Sequence, residues 1–346
     1  MAGEFKSDNF YFLDESRMRQ LFETASPGPV LVLTHDNPDP DALASGKALA
    51  TLLEKVWSIP SHLVYSGTVA RADNRAMLKY LTPEWDHQDT IEDLDKYSAL
   101  ALVDTQPGAG NNRLPSTHSP IIVFDHHHPL RETIKSVQYA DIQPQVGATV
   151  TLLYKYLETA EIVADPILAT AMFYGIKTDT HGLSRGVSPA DEATYIKLLS
   201  LLDHKILVQV EHAGLDRDNF RALHRGLKAA RLFGQAIIAR LGILDWPDQG
   251  AEMADLLIRL EGARAVLCQG EHDGILHLSI RTKILEEDAG QLIQRVVLAP
   301  GRAGGHGSMA GGQVPLSGGS AERAMDEIEK RFLTAMEEEG DGESLL

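Results

Sequence analysis

The amino-acid sequence predicts an α/β protein with an N-terminal, doubly wound, mostly parallel sheet and a smaller C-terminal α/β domain. Its 346 residues correspond to about two domains of ordinary size. Short apolar runs of strand length alternate with segments of helical periodicity, the pattern of parallel strands joined by crossover helices. Ligands bind such sheets at the carboxyl ends of the strands, so the residues that follow each apolar run are the first candidates for chemistry.

Three apolar runs are the predicted strands of the first domain. Residues 30–33 follow a Pro-Gly-Pro turn, and residues 99–103 and 121–124 are continuous aliphatic runs of buried-strand length. Leucines at helical spacing predict a helix directly after the first strand. Further helices are predicted at 148–160, 165–176 and 189–202.

The second half of the chain has a different composition. Closely spaced basic and histidine side chains after residue 204 predict a helical linker, and Asp273-Gly274 between two apolar runs predicts a β-hairpin. A helix is predicted near 287–298, followed by a glycine-rich loop around His306. The predicted boundaries are 1–204 for the catalytic domain, 205–235 for the linker, 236–336 for a substrate-binding domain and 337–346 for an acidic, disordered tail.

Composition and charge exclude several classes of protein. Asp and Glu outnumber Lys and Arg by 49 to 32, and the net charge of −17 excludes a broad surface that grips duplex DNA. The single cysteine, Cys268, excludes an internal disulfide and a thiolate metal cluster, as expected in a reducing compartment. The sequence shows no signal-peptide pattern and no apolar run of about 18 residues. A cytoplasmic location without a membrane partner is therefore expected.

Acidic and histidine residues follow the predicted strands. Each Asp alone has an ordinary structural explanation as a turn or helix cap, and Asp41 could cap the helix that starts there. Together, however, these carboxylates and imidazoles would repel one another without cations between them, and they are suitable ligands for divalent metals. The residues are His35, Asp39 and Asp41 after the first strand, Asp104 after the second, Asp125, His126 and His127 after the third, and Asp179 after the helix that is predicted to end near Gly175.

Five ordered motifs carry a resemblance to a known family. They are His35-x-x-Pro38-Asp39-x-Asp41-Ala42, then Asp104, then the triplet Asp125-His126-His127, then Thr178-Asp179-Thr180, and last the stretch Gly304–Gly312. In these motifs the chain resembles the DHH phosphoesterases with a C-terminal DHH-associated domain. This group includes nano-RNases and phosphatases of adenosine 3′,5′-bisphosphate.

The resemblance implies a site for two metal ions, usually Mn²⁺, with Mg²⁺ as an alternative. One ion would be held by His35, Asp39 and Asp104, and the other by Asp41, His126, Asp179 and a shared Asp104. Asp125 would hold the two histidines of the triplet in orientation without binding a metal ion itself. His127 would contact the substrate phosphate or protonate the leaving oxygen, which makes it, with Asp104, a candidate catalytic residue.

Substrate binding is assigned by the same resemblance to the second domain. Four carboxylates offset the charge of two divalent ions, so the attraction for phosphate must come from added cations. The resemblance implies an active site in a cleft between the domains, with Arg281 and the loop that contains Gly304, Gly305 and His306 in contact with the substrate. The expected reaction is hydrolysis of short 5′-phosphorylated oligoribonucleotides to nucleoside 5′-monophosphates, with adenosine 3′,5′-bisphosphate as a second substrate. The expected partner is thus a small nucleotide or a short single-stranded RNA, and a homodimer is compatible with the sequence.

Two alternatives remain open. An inorganic pyrophosphatase or exopolyphosphatase shares the first four motifs, although its second domain binds phosphate with lysines and arginines rather than with a Gly-Gly-His segment. A nucleotide-sensing module without activity is the other alternative. The intact set of candidate ligands speaks against it, because such a module would be free to lose some of them. The chain also departs from the family after Asp179, where His181 and Leu183 leave the role of Arg185 open.

Overall fold

The computed structural model describes residues 28–91, 93–284, 288–316 and 320–346. The chain divides after Ala213 into two compact units. The division falls inside the segment that the sequence predicts to be a helical linker. In the structure this segment contains two helices, one in each unit, and the short strand Ala230–Phe233.

The first unit is built on a six-stranded sheet in which every neighbouring pair of strands is parallel. In chain order its elements are β1 (Val30–Leu33), α1 (Pro40–Trp57), β2 (Ser61–Tyr65), α2 (Ala72–Tyr80), β3 (Trp85–His87), β4 (Ala99–Val103), β5 (Ile122–Asp125), β6 (Tyr139–Ile142), α3 (Thr149–Thr159), α4 (Pro166–Asp179), α5 (Pro189–Leu199) and α6 (His204–Glu211), with 3-10 turns at Leu94–Lys96 and Glu132–Ser136. The strand order is β3-β2-β1-β4-β5-β6. This confirms the predicted parallel α/β domain and adds the short strands β2, β3 and β6.

The central strands are apolar because both faces of the sheet are covered. Every residue of β1 and β4 is buried, which is why these strands appear in the sequence as continuous aliphatic runs. One face of the sheet packs against the helices α1, α3 and α4. Among the described residues, the other face is covered by loops and by the 3-10 turns.

Several helices of the first unit begin with the same local signal, a capping side chain followed by proline. The cap accepts a main-chain N–H of the first turn, and proline at the first helical position needs no hydrogen-bond partner for its nitrogen. These starts are Asp39-Pro40 for α1, Asp165-Pro166 for α4 and Ser188-Pro189 for α5.

The second unit contains a seven-stranded mixed sheet in the order β11-β12-β10-β9-β8-β7-β13. In chain order its elements are α7 (Arg217–Ala229), β7 (Ala230–Phe233), β8 (Ala236–Ile243), α8 (Gln249–Leu257), β9 (Ala265–His272), β10 (Ile275–Thr282), α9 (Ala289–Val296), β11 (Arg302–His306), β12 (Met309–Pro315), α10 (Ala321–Met336) and β13 (Glu343–Ser344). Helices α9 and α10 pack on one face of this sheet, and α8 packs on the other. The predicted Asp-Gly hairpin is confirmed, since Asp273 and Gly274 both have the positive φ angles of its turn, 49° and 74°.

Two predictions for the second unit were wrong. The glycine-rich segment around His306 is a β-hairpin, β11–β12, rather than a loop. Gly305 is required by this hairpin, because a Cβ atom there would lie 2.4 Å from the main chain of Met309. The acidic tail is also not wholly irregular, because Glu343–Ser344 pairs with β7. Within the described parts of the chain, no helix combines the length and the apolar composition needed to cross a membrane.

A buried carboxylate, Asp191 of α5, ties the start of α3 to α5. It accepts hydrogen bonds from the N–H of Gly147 at 2.8 Å and from the hydroxyl of Thr151 at 2.6 Å. Ser188 donates to the same carboxylate from its N–H at 2.7 Å and from its hydroxyl at 2.6 Å. Asp191 thereby fixes the segment from which α3 begins.

We expect Asp191→Ala to lower the free energy of unfolding by about 2–4 kcal/mol, because several buried donors would lose their acceptor. Urea denaturation of the full chain measures this loss. The neighbouring exposed Glu192 provides the control, and Glu192→Ala should leave the unfolding midpoint unchanged. An equal loss in both variants would contradict the role given to Asp191.

Candidate metal centre

The candidate site lies where the strand order of the first sheet reverses, between β1 and β4. In open parallel sheets this switch point forms a crevice at the carboxyl ends of the strands. His35 and Asp39 lie in the loop after β1, Asp104 directly follows β4, and Asp125 is the last residue of β5. The topology therefore brings the predicted motifs to one edge of the sheet.

Asp104 is at the centre of the cluster. Its backbone has a left-handed φ of 57°, a conformation that Asp tolerates better than most residues. The carboxylate is 3.5 Å from His35 Nε2 and 3.6 Å from His126 Nε2. It also accepts the hydroxyl of Thr149 at 2.7 Å. Its two oxygens thus face imidazoles from two different segments.

Asp41 and Asp179 come together because α4 packs closely on the start of α1. At Gly175 a Cβ atom would lie 3.1 Å from the Cα of Asp41, so glycine permits this approach. Asp179 is the last residue of α4, which runs four residues beyond the predicted end near Gly175. Its Oδ2 is 3.5 Å from His126 Nε2.

The carboxylate of Asp41 does not cap its own helix. Asp39 is the N-cap of α1, and its side chain accepts the N–H of Ala42. Asp41 instead accepts the N–H groups of Thr149 and Val150 at 2.6 and 2.8 Å, at the start of α3. The partial positive charge of that helix terminus stabilises a carboxylate there.

The predicted ligands form three overlapping groups whose donor atoms lie within 4.8 Å of one another. One group is the predicted set for the first ion, a second is the predicted set for the second ion without the shared Asp104, and the third includes His127. The groups are His35, Asp39 and Asp104; Asp41, His126 and Asp179; and Asp104, His126 and His127. The structure thus brings together all six predicted metal ligands.

Two buried atoms of the cluster have no hydrogen-bond partner among the described residues. They are Oδ2 of Asp104 and Nε2 of His126. A buried polar atom without a partner costs about 1–3 kcal/mol, so such atoms are rare unless a ligand satisfies them. Both atoms belong to residues that are predicted to bind metal, and a divalent cation between them would satisfy both.

The histidines are oriented for coordination through Nε2. His126 Nδ1 donates to the carbonyl oxygen of Val146 at 3.2 Å, and His35 Nδ1 donates to that of Asp36 at 2.9 Å. A hydrogen bond at one ring nitrogen leaves the other as the lone-pair donor, which is the usual arrangement of metal-binding histidines.

Electrostatics without cations are unfavourable for this cluster. Burial raises the pKa of Asp41 and Asp179 well above the usual range, and neighbouring carboxylates raise both further. Burial also opposes the ionisation of Asp104, but His35 and two further imidazoles outweigh it and hold that pKa below its usual range. Burial lowers the pKa of His35, yet the facing carboxylates raise it to about 10. A protonated imidazole thus supplies the positive charge that divalent cations would otherwise provide.

His127 has different surroundings from His126. Burial, together with the charge of His127, lowers the pKa of His126. The side chain of His127 is 47% exposed, and its Nδ1 donates to Asp125 Oδ1 at 2.8 Å. Burial lowers the pKa of His127, but Asp125 and Asp104 outweigh it and raise that pKa to about 9. His127 is therefore suited to donate a proton, whereas His126 is suited to offer a lone pair.

The predicted substrate residues lie in the second unit. Leu276, Leu278 and Ile280 of β10 share one face and pack against α9 and α10. The other face, which carries Arg281, is covered by α8. Arg281 is only 9% exposed, and its Nε donates to Asp255 of α8 at 2.5 Å.

The glycine-rich hairpin contains the other predicted substrate residues. Gly304 and Gly305 lie in β11, and His306 is the last residue of that strand, opposite Met309 in register. The space beside Gly304 is open, because no heavy atom lies within 4 Å of the point that a Cβ atom would occupy. Gly304 is therefore the glycine of this pair whose role is not explained by packing.

Sequence reasoning missed the groups that hold the ligands. Thr149 donates to Asp104 through its hydroxyl and to Asp41 through its N–H, and the carbonyl of Val146 orients His126. Nothing in their spacing indicates this role. Arg185, which the sequence left without a role, donates from Nη2 to the carbonyl of Asp179 at 2.6 Å and supports the end of α4.

Comparison with known proteins finds a family match within the first unit. Residues 29–176 match the family described as "DHH family, N-terminal domain". The chain is 33% identical over 296 residues to the uncharacterized protein MJ1633 of Methanocaldococcus jannaschii, covering 85% of this chain and 59% of that protein. It is 26% identical over 337 residues to the cyclic-di-AMP phosphodiesterase PdeA of Listeria monocytogenes, covering 91% of this chain and 48% of the relative. The chain thus spans about half the length of these relatives.

A solved structure shares the fold. An exopolyphosphatase-related protein from Bacteroides fragilis matches with a TM-score of 0.72 and 14% identity, over 92% of this chain and 95% of that one. At this identity the likeness concerns the fold alone. It agrees with the predicted order of a parallel α/β domain followed by a smaller one.

Asp104→Asn should weaken the binding of Mn²⁺ strongly. Mutation of a residue that only supports a metal ligand typically lowers metal affinity about 10–100-fold, and we expect a larger loss here. Asn keeps the size of Asp104 and tolerates its left-handed backbone, but it offers no charge. Isothermal titration calorimetry on protein freed of metal measures the affinity. The exposed Asp95 provides the control, and Asp95→Asn should bind as the wild type does.

The variant His127→Ala, titrated with Mn²⁺ by the same calorimetry, tests whether His127 is a metal ligand or only a proton donor. We expect it to retain metal binding, because the six predicted ligands lie together without His127. Loss of metal from this variant would instead assign His127 to the ligand set.

Proposed function

From the match of residues 29–176 to the N-terminal domain of the DHH family, we propose that the chain is a divalent-metal-dependent phosphoesterase. One observation carries the proposal: Oδ2 of Asp104 and Nε2 of His126 are buried without a hydrogen-bond partner among the described residues, inside a cluster of carboxylates and imidazoles. A cluster with only a structural purpose would satisfy these atoms with protein donors and acceptors. The two unpartnered atoms, a carboxylate oxygen and an imidazole nitrogen, are of the kinds that metal ions bind.

We propose two Mn²⁺ ions, with Mg²⁺ as a weaker substitute. His35, Asp39 and Asp104 would hold one ion, and the second would be held by Asp104 with the residues Asp41, His126 and Asp179. Only nitrogen and oxygen ligands are offered, which favours Mn²⁺ over thiolate-preferring metals. When bound, such ions supply Lewis acidity that activates water and neutralises charge on the phosphoryl oxygens.

The residues of this chain complete the reaction by orientation and proton transfer. A water oxygen forms the new bond to phosphorus and releases one proton to solvent, while the bond from phosphorus to the leaving oxygen breaks. His127 gives its Nε2 proton to that oxygen, since Asp125 occupies Nδ1, and then recovers a proton from solvent. The net reaction consumes one water molecule for each ester bond.

The proposed substrates are short 5′-phosphorylated oligoribonucleotides, dinucleotides above all, which would yield nucleoside 5′-monophosphates. Adenosine 3′,5′-bisphosphate is proposed as a second substrate. The net charge of −17 supports a small ligand, because an acidic surface does not attract extended nucleic acid.

A cyclic dinucleotide is the second candidate substrate. The Listeria relative named as a cyclic-di-AMP phosphodiesterase aligns with 91% of this chain, which includes both units. Cleavage of one ester bond in a cyclic dinucleotide gives a linear 5′-phosphorylated dinucleotide. The two candidates therefore share bond type and differ in whether the substrate has a free 5′-phosphate.

A substrate panel tests the proposal. With Mn²⁺, the wild type should hydrolyse 5′-phosphorylated dinucleotides faster than long RNA, cyclic di-AMP or pyrophosphate. Activity should vanish on chelation and return best with Mn²⁺. Chromatography of the products distinguishes nucleoside monophosphates from a linear dinucleotide.

Three results would contradict the proposal. Full activity of the chelated protein would exclude the metal mechanism. A preference for pyrophosphate would indicate the pyrophosphatase alternative. Nucleotide binding without turnover in the presence of Mn²⁺ would indicate a sensing module.

The second unit is proposed to bind the substrate through Arg281 and the hairpin that contains Gly304, Gly305 and His306. Arg281→Ala should raise the KM for dinucleotides about tenfold or more, the loss of one charge-assisted hydrogen bond. Hydrolysis of a small nitrophenyl phosphodiester should change little.

Asp255→Ala provides the comparison, because it removes the ion-pair partner of Arg281 but leaves the guanidinium. If Arg281 serves only as the partner of Asp255, the KM for dinucleotides will stay unchanged in both variants. That result would remove Arg281 from the proposed substrate site.

A further inference from the structure

Gln106 lies two residues after Asp104, in the loop that leaves β4, and is 3% exposed. Its Nε2 donates to Asp125 Oδ2 at 2.7 Å and to the carbonyl oxygen of His127 at 2.9 Å. Its Oε1 accepts the main-chain N–H of Arg131 at 2.8 Å. Both N–H donors and the oxygen of this amide are therefore used, and all of its partners belong to the segment that carries the triplet.

Asp125 connects this amide to His127. The carboxylate is fully buried, with Oδ2 bound to Gln106 and Oδ1 accepting Nδ1–H of His127 at 2.8 Å. No other side chain among the described residues donates to Oδ2. The rotation of the Asp125 carboxylate, and with it the direction in which Oδ1 points, thus depends on Gln106.

A glutamine is the residue type that this position requires. One amide nitrogen supplies two N–H donors, and here it reaches a carboxylate and a carbonyl at once. A glutamate would offer no donor and would face Asp125 with like charge. An apolar side chain of equal length would leave both acceptors buried without a donor.

We infer that Gln106 is a positioning residue that fixes the imidazole of His127 for proton transfer. It holds the main chain of His127 and the carboxylate behind its Nδ1 together, so Nε2 is the nitrogen left for the substrate. Gln106 touches neither the predicted metal ligands through its side chain nor the proposed substrate. The inference rests on the proposed function, in which His127 protonates the leaving oxygen.

Substrates with different leaving groups test the inference. A nucleoside alkoxide needs a proton as it leaves, whereas nitrophenolate does not. We expect Gln106→Met to lower kcat on a dinucleotide by about tenfold or more, to leave its KM little changed and to leave nitrophenyl ester hydrolysis nearly intact. Mn²⁺ binding should also remain. Gln143→Met is the matched control, because the amide of Gln143 donates to Asp141 instead, and it should retain full activity on both substrates.

A double-variant cycle with His127→Ala decides the outcome. If Gln106 acts through His127, adding Gln106→Met to His127→Ala will cause no further loss on the dinucleotide. A loss equal to the product of the two single effects would overturn the inference, as would loss of Mn²⁺ from Gln106→Met or equal losses on both substrates.

Failure of the inference differs from failure of the proposed function. If His127→Ala itself slows both substrates equally, His127 is not the proton donor and the proposed reaction is wrong. If His127→Ala is selective for the dinucleotide and Gln106→Met is not, only the inference fails. If Gln106→Met does not fold, Gln106→Asn replaces it, because asparagine keeps the amide on a side chain one methylene shorter. This variant should lose less kcat on the dinucleotide, with the same selectivity between the two substrates.

Discussion

The first unit is organised around one electrostatic constraint, the concentration of several carboxylates in a pocket from which water is largely excluded. Asp41 and Asp104 are almost completely buried there. Carboxylates this close cannot all ionise without positive charge nearby. Imidazoles face Asp104, main-chain N–H groups donate to Asp41, and Asp104 Oδ2 and His126 Nε2 have no hydrogen-bond partner among the described residues. The close packing of α4 on α1 at Gly175 brings Asp179 to the same cluster as Asp41.

The sequence predicted the fold where the physical signal was strong. Strands buried on both faces, such as β4, appear as uninterrupted aliphatic runs, and the Asp273-Gly274 turn has one well-defined geometry. It failed where the signal was weak. The edge strands β3 and β6 are short and partly exposed, so they lack the apolar run. The hairpin around Gly305 has so many glycines that its strand character depends on pairing with β12, which no local pattern reveals.

The ligand types of the site were predictable because a parallel sheet gathers the residues that follow its strands. The groups that support those ligands were not, since their roles depend on how loops pack. Thr149 and Val146 act from the segment that leads into α3, and Gln106 acts from the loop after β4. The same limit applies to Arg281, because nothing in the sequence indicates its pairing with Asp255 of α8.

The support of Asp41 by the start of α3 has a consequence for how this protein tolerates change. The donors that α3 offers to Asp41 are main-chain N–H groups, and every residue except proline supplies one. The orientation of this carboxylate is thus encoded in the position of a helix and not in the identity of its side chains. Other side chains of α3 could change without turning this carboxylate, but the hydroxyls of Thr149 and Thr151 must stay, because they hold Asp104 and Asp191.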